Sequence, residues 1–189
     1  VDGIASLPGY AEGAFTVQDV SSMLAVEAAQ IGSGDFVMDV CAAPGGKSFA
    51  TAELMEGKGT VHSMDIYEHK LKLMETQAKR TGITNIELIC HDSTQPRAEF
   101  AGKADRVLAD VPCSGLGVLR RKPEIKYKNF DEFDNLPQIQ FKILENAKNY
   151  LKKGGRILYS TCTLRKAENE DVINEFLSRN NECYYHRNS

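Results

Sequence analysis

The sequence predicts an α/β fold built on a doubly wound, mostly parallel sheet, and two observations carry that prediction. Short apolar stretches of strand length alternate with stretches of helix length along most of the 189 residues. Right-handed crossovers turn that order into a parallel sheet. Aspartates also fall at or near the ends of four predicted strands, at Asp39, Asp65, Asp92 and Asp110. In a parallel sheet those ends lie along one edge, where the ligand crevice forms. Any one of them could equally be a helix cap or a turn residue; that explanation is much weaker for the set.

Taken in order, Val1–Thr16 is rich in glycine and small residues and reads as an extended lead-in. Asp19 is placed to cap a helix from about Val20 to Ile31, which Gly32, Ser33 and Gly34 end. Phe36, Val37, Met38 and Val40 read as a strand buried on both faces. The small residues Ala42, Ala43, Pro44, Gly45 and Gly46 turn the chain into a helix over Lys47–Gly57. Thr60–Asp65 is a second strand, Tyr67–Thr81 a helix ended by Gly82, and Ile86–His91 a third strand. Arg106–Asp110 is a fourth strand. An irregular stretch runs from there to about Leu136. A helix over Gln138–Leu151 is stopped by Gly154-Gly155, before a fifth strand at Arg156–Thr161. A last helix spans Glu168–Arg179, its acids Glu168–Glu175 forming an ordinary helix surface, and one more strand falls at Glu182–Tyr185. The whole is one domain: a lead-in and helix over residues 1–35, then a core over residues 36–189.

The turn after the first strand is the stretch the chain is organised around. A strand that breaks at glycines and re-forms as a helix brings backbone N–H groups close to a ligand. A phosphate-cradling G-x-x-x-x-G-K-[ST] loop fails here, because Cys41 stands where its first glycine belongs. A dinucleotide fingerprint fails too, since only Gly45-Gly46 is present. A nucleoside cofactor without a pyrophosphate, such as S-adenosylmethionine, needs close backbone approach but no phosphate clamp, and fits best. Cys41, Ala42, Ala43, Pro44, Gly45, Gly46 and Lys47 would then form its cradle. Asp65, 19 positions after Gly46, has the spacing of an acid that takes ribose hydroxyls, and Asp92 is placed for the adenine amino group.

Composition narrows the class. With 42% apolar and 26% charged residues the chain reads as a soluble globular protein. No apolar run approaches the ~20 residues of a membrane span. A net charge of −3 is not that of a strong polyanion binder. The five cysteines at 41, 90, 113, 162 and 183 form no C-x-x-C pair and the four histidines are scattered, so no metal site is expected. Odd, widely spaced cysteines suit a reducing, cytosolic setting.

Cys41, Cys90 and Cys183 read as small buried hydrophobes. Cys113 and Cys162 follow directly after the fourth and fifth strands, so neighbouring strands would bring both thiols to one crevice beside the cofactor. An exocyclic amine needs no covalent help to accept a methyl group. Carbon 5 of a pyrimidine becomes nucleophilic only when a thiolate adds to carbon 6. Two thiols suit that chemistry, one to add and one to help remove the carbon-5 proton and release the product. The basic stretch Arg120, Arg121, Lys122, Lys126 and Lys128, interleaved with Tyr127 and Phe130, suits phosphate contact and base stacking.

CAAPGGKS, DVPCSGLGVLRRKPEIKY and YSTCTL, with the lead-in VQDVSSML, closely resemble the RNA 5-methylcytosine methyltransferases of the Sun (Fmu) type. The resemblance spans most of residues 10–180. It implies a Rossmann-like fold, S-adenosylmethionine as cofactor, and RNA, ribosomal RNA first, as partner. It implies that Cys162 is the nucleophile and that Cys113 assists release. It also implies that Asp110 meets the flipped cytosine and the methionyl end of the cofactor, with Lys47 near the base. The chain departs from the family pattern at Lys166, where proline is usual, and at Glu124 and Tyr127, where Asp and Trp are common. A separate N-terminal RNA-binding region and a closing strand pair are usual in the family, so the chain reads as a catalytic core. The rival readings are a catalytically inactive cofactor-binding module associated with RNA and, less well supported, an NAD-dependent oxidoreductase. Retention of both thiols with Asp110 and Lys47 argues against the first, the glycine spacing against the second.

Overall fold

The computed structural model describes residues 3–120, 123 and 133–185. Five strands form one sheet, all parallel: β1 (Phe36–Asp39), β2 (Thr60–Asp65), β3 (Ile86–Cys90), β4 (Ala104–Asp110) and β5 (Leu151–Ser160), in the order β3-β2-β1-β4-β5. Among the described residues five α-helices accompany it: α1 (Val20–Ala28), α2 (Gly46–Leu54), α3 (Glu68–Thr81), α4 (Leu136–Tyr150) and α5 (Glu170–Arg179).

The alternation of side chains along each strand divides the core in two. Val37, Val61 and Leu108 point to the face where Ala29, Ala52 and Met55 lie. Met38, Met64 and Val107 point to the other face, against Ile143, Ala147 and Tyr150 of α4. Both faces of β1 are therefore covered, which is why Phe36, Val37 and Met38 follow one another without a polar residue between them. Helix α5 packs on α4 through Leu144, Val172 and Phe176.

Local signals set most of the boundaries. Asp19 caps α1 by accepting the Ser21 N–H at 2.9 Å. Gly82 ends α3 in the left-handed region at φ 70°. Pro137 sits in the first turn of α4, where its missing N–H costs nothing.

Four expectations are corrected. The lead-in is not extended: Ile4–Ser6 is a 3₁₀ turn, and Arg80 of α3 holds the turns after it. The Arg80 guanidinium lies 3.9 Å from the Tyr10 ring centroid and donates to Phe15 O at 3.2 Å. Helix α4 ends at Tyr150, and β5 begins at once. Gly154-Gly155 lies inside a register shift, because Ala104 pairs with Leu151 but Arg106 pairs with Arg156. Glu182–Tyr185 forms a turn and irregular chain without a ladder partner, and Tyr184 and Tyr185 stand exposed. Cys90 is exposed rather than buried, because β3 is a sheet edge with a half-covered face.

Leu108 is fully buried in β4. Leu108→Ala should therefore lower unfolding stability by about 2–5 kcal/mol, read as a shift of the urea midpoint.

Candidate active site

The switch in strand order between β1 and β4 opens the sheet edge, and the turn after β1 fills it. Gly45 adopts φ 104°, and a Cβ there would stand 2.5 Å from the Phe49 ring. Only glycine lets the chain turn over Phe49 into α2. A Cβ on Gly46 would meet nothing within 4 Å, so its backbone borders open space.

Asp39 ends β1 with almost no solvent contact. Its carboxylate accepts Ser48 Oγ at 2.7 Å, and Ser48 Oγ accepts Ser63 Oγ at 2.9 Å. Burial pushes the Asp39 carboxyl up to about 6 despite the Ser48 bond. The neighbouring Cys41 thiol is pushed up by burial and then by Asp39, which keeps it neutral.

Lys47, from the first turn of α2, reaches the end of β4 and pairs with Asp110 at 2.7 Å. Ser160, at the end of β5, donates to the other Asp110 oxygen at 2.7 Å. Asp65 accepts Ala43 N–H at 3.1 Å and Tyr67 N–H at 3.0 Å, tying the loop to the end of β2. Each carboxylate oxygen keeps a free lone pair for a further donor. Asp92 accepts the Thr94 hydroxyl at 2.7 Å and its N–H at 2.9 Å, and these bonds hold its carboxyl below the usual range.

A cleft of about 240 Å³ lies above the turn, lined by Cys41–Pro44, Gly46, Lys47 and Asp110 on one side. Its other wall is Val17, Gln18, Asp19 and Ser22, which the reading of the turn and strand ends did not include. Gln18 Oε1 is buried without a hydrogen-bond partner in this wall. Asp65 and Asp92 stand outside this cleft. A larger groove of about 680 Å³ runs between α3 and β3 and is lined by none of these residues.

Beside the cleft the two thiols meet. Cys113 Sγ and Cys162 Sγ are 3.0 Å apart, and the Cys162 N–H donates to Cys113 Sγ at 3.1 Å. Gly117 N–H holds Cys162 O at 3.0 Å, at a point where a Cβ would approach that oxygen to 2.9 Å. The hydrogen bond with Cys162, and then burial, push the Cys113 thiol up.

Glu168 corrects a further expectation. Glu170, Asp171 and Glu175 are exposed as anticipated, but Glu168 has no exposed surface. A 3₁₀ turn over Lys166–Glu168 precedes α5 and swings this side chain inward. Lys166, in place of proline, stays outside and reaches Asp171 at 3.8 Å. Of the basic stretch, Arg120 is exposed; Arg121, Lys122, Lys126 and Tyr127 lie outside the described residues. Among the described residues no cluster suited to a metal ion occurs, and no helix is long and apolar enough to cross a membrane.

Fold and site together define a Rossmann-like core of the S-adenosylmethionine-dependent methyltransferases. Residues 27–188 match the family described as 16S rRNA methyltransferase RsmB/F, and the chain belongs to that family. It is 44% identical over 92% of its length to a probable ribosomal RNA small subunit methyltransferase B of Bacillus subtilis. It is 37% identical, again over 92%, to the ribosomal RNA small subunit methyltransferase B of Vibrio cholerae. It spans 39% and 40% of those two relatives. Among solved structures it superposes on NSun6 from Pyrococcus horikoshii with SFG at TM-score 0.84 and 30% identity, covering 95% of this chain and 46% of that one. A methyltransferase homologue from the same organism gives 0.81 and 32%, covering 94% and 55%.

The sign of the Asp39 effect is set by its raised pKa. Folding favours the protonated form, so the wild type loses stability as pH rises from about 4 to about 6. The melting temperature of Asp39→Asn minus that of the wild type should rise across this window and level off above it. A flat difference would show that Asp39 ionises without cost.

Proposed function

We propose that this domain methylates carbon 5 of a cytosine in RNA, small-subunit ribosomal RNA being the substrate its relatives' names point to. The single observation that supports this most is the 3.0 Å approach of two thiols beside the Lys47–Asp110 pair. A methyl acceptor with its own lone pair would require neither thiol. Bacterial relatives of this kind fit a cytosolic setting.

S-adenosylmethionine, when bound, supplies an electrophilic methyl group. Its methionyl end suits the cleft lined by Gln18, Lys47 and Asp110. Its ribose suits Asp65, and its adenine amino group suits Asp92. Asp110, held by Lys47 and Ser160, is the acceptor for the amino edge of the cytosine. Arg120, with Arg121, Lys122, Lys126 and Tyr127, contacts the RNA backbone and bases.

The proton inventory of the thiol pair sets the order of steps. Either sulfur can donate across the contact; in this reading Cys113, whose thiol is pushed up, keeps the proton and Cys162 is the thiolate that adds to carbon 6. The electron pair reaches carbon 5, which takes the methyl group. Once Cys162 is bonded to carbon, the hydrogen bond that contributed most to raising Cys113 is gone, and Cys113 can ionise more readily, its proton going to the solvent. Its thiolate takes the carbon-5 proton, the carbon–sulfur bond breaks, and Cys162 leaves as thiolate. One proton is released per turnover.

With RNA containing 5-fluorocytidine, Cys162→Ser should form no covalent adduct. Cys113→Ser should form the adduct and release ordinary product slowly, so that a protein–RNA complex accumulates. The opposite pattern on denaturing gels would reverse the roles, and no adduct with any variant would favour the inactive binding module. By titration calorimetry, Asp65→Ala should weaken S-adenosylmethionine binding about tenfold or more, because hydrogen bonds to a charged acceptor carry ~1.5–3 kcal/mol. Selective binding of NAD instead would end the methyltransferase reading.

A further inference from the structure

We propose that Glu168 is a positioning residue for the thiol pair: its buried carboxylate clamps the loop carrying Cys113 to the loop following Cys162 and thereby sets the separation of the two sulfurs. The proposal rests on reading Cys113 and Cys162 as the reacting pair.

Among the described residues, every hydrogen bond of this side chain goes to those loops or to the helix behind them. Glu168 Oε2 accepts the Ser114 N–H at 2.9 Å and Gln140 Nε2 at 3.0 Å. Gln140, fully buried on α4, also donates to Pro112 O at 2.9 Å. The backbone is thus gripped on both sides of Cys113, at Pro112 O and at Ser114 N. Glu168 Oε1 accepts from Arg165 at 3.4 Å, which supplies the opposite charge. The Glu168 carbonyl accepts the Tyr159 hydroxyl at 2.8 Å, fixing the clamp to β5, the strand that leads to Cys162. A second stitch, Ser114 Oγ to Thr163 Oγ1 at 2.7 Å, joins the residues directly after the two cysteines.

Energetics favour a role beyond packing. A buried carboxylate with a single charge partner gains little over an apolar residue of the same volume. What an apolar residue cannot do is accept from Ser114 and Gln140 in fixed directions. Nucleophile and release thiol act on adjacent carbons of one ring, so their separation matters at the level of a bond length.

The test reads the sulfur separation without RNA. Diamide takes two protons and two electrons from a thiol pair, leaving a disulfide and the hydrazine form of the reagent. The rate of forming the Cys113–Cys162 linked peptide, measured by mass spectrometry, reports their effective concentration. Glu168→Gln keeps the acceptor oxygen and the volume; its rate should stay near that of the wild type. Glu168→Met keeps the volume and removes the acceptor. It should slow disulfide formation about tenfold or more, with S-adenosylmethionine affinity retained, because the cofactor turn lies on other elements. In turnover, Glu168→Met should lower kcat with little change in KM for the cofactor, accumulating adduct as Cys113→Ser does.

A folded Glu168→Met that oxidises at the wild-type rate would overturn the proposal. If Glu168→Met does not fold, Gln140→Met, which frees Pro112 O, must show the slowed rate. Wild-type oxidation there, or loss of folding in both, would make Glu168 a residue of the fold alone. Slowed oxidation without any adduct in the 5-fluorocytidine assay would retain the clamp while removing the nucleophilic reading.

Discussion

The pairing of β1 with β4 is the constraint on which the rest depends. Chain order runs outward from β1 through β2 to β3, then returns to the other side of β1 for β4 and β5. The turns leaving β1 and β4 therefore diverge, and the crevice between them is a consequence of topology rather than of any loop's shape. That pairing faces Lys47 with Asp110, which no local feature would bring together. It also places β5 beside β4, so that two cysteines in unrelated stretches of sequence share one surface.

Three carboxylates near this edge show how differently burial can be handled. Asp39 loses solvent, and its hydroxyl and amide donors and the charge of Lys47 do not offset that burial, so its charge is costly. Asp110 keeps partial exposure and holds Lys47 in place, presenting a polar edge to the crevice. Glu168 is wholly enclosed and divides its oxygens between backbone, amide and guanidinium. Asp39 and Asp110 both line the cleft, but of the two Asp110 keeps the exposed side chain, whereas Glu168 lies outside it.

What the sequence disclosed and what it hid follow from the range of the interactions. Strand and helix periods are local, and so the five strands and their order of appearance were legible. The glycines of the turn were legible because φ 104° at Gly45 is a local demand. Cys113 and Cys162 were legible as a pair through the fold class, since strand ends converge. Glu168 was not: an acid in an acidic helix start looks like surface, and its inward turn depends on Ser114 and Gln140, which are far along the chain. The Gln18 wall was likewise invisible to the turn's own logic, because it requires α1 to lie over α2. The break at Gly154-Gly155 was misread because glycines that end a helix and glycines that form a bulge look alike without the partner strand.

Parallel pairing of β1 with β4 also has a kinetic side. Phe36 bonds to Asp105 across 69 positions, Lys47 reaches Asp110 across 63, and the two sulfurs meet across 49. None of these contacts can be rewarded until a long loop has closed, so the fold belongs among the slow, high-contact-order topologies. During synthesis the chain carries five free cysteines with no reason for any two to be neighbours. Only when β5 docks beside β4 do the two sulfurs face each other. The sulfur pair is thus a property of the completed sheet and not of any one segment of the chain.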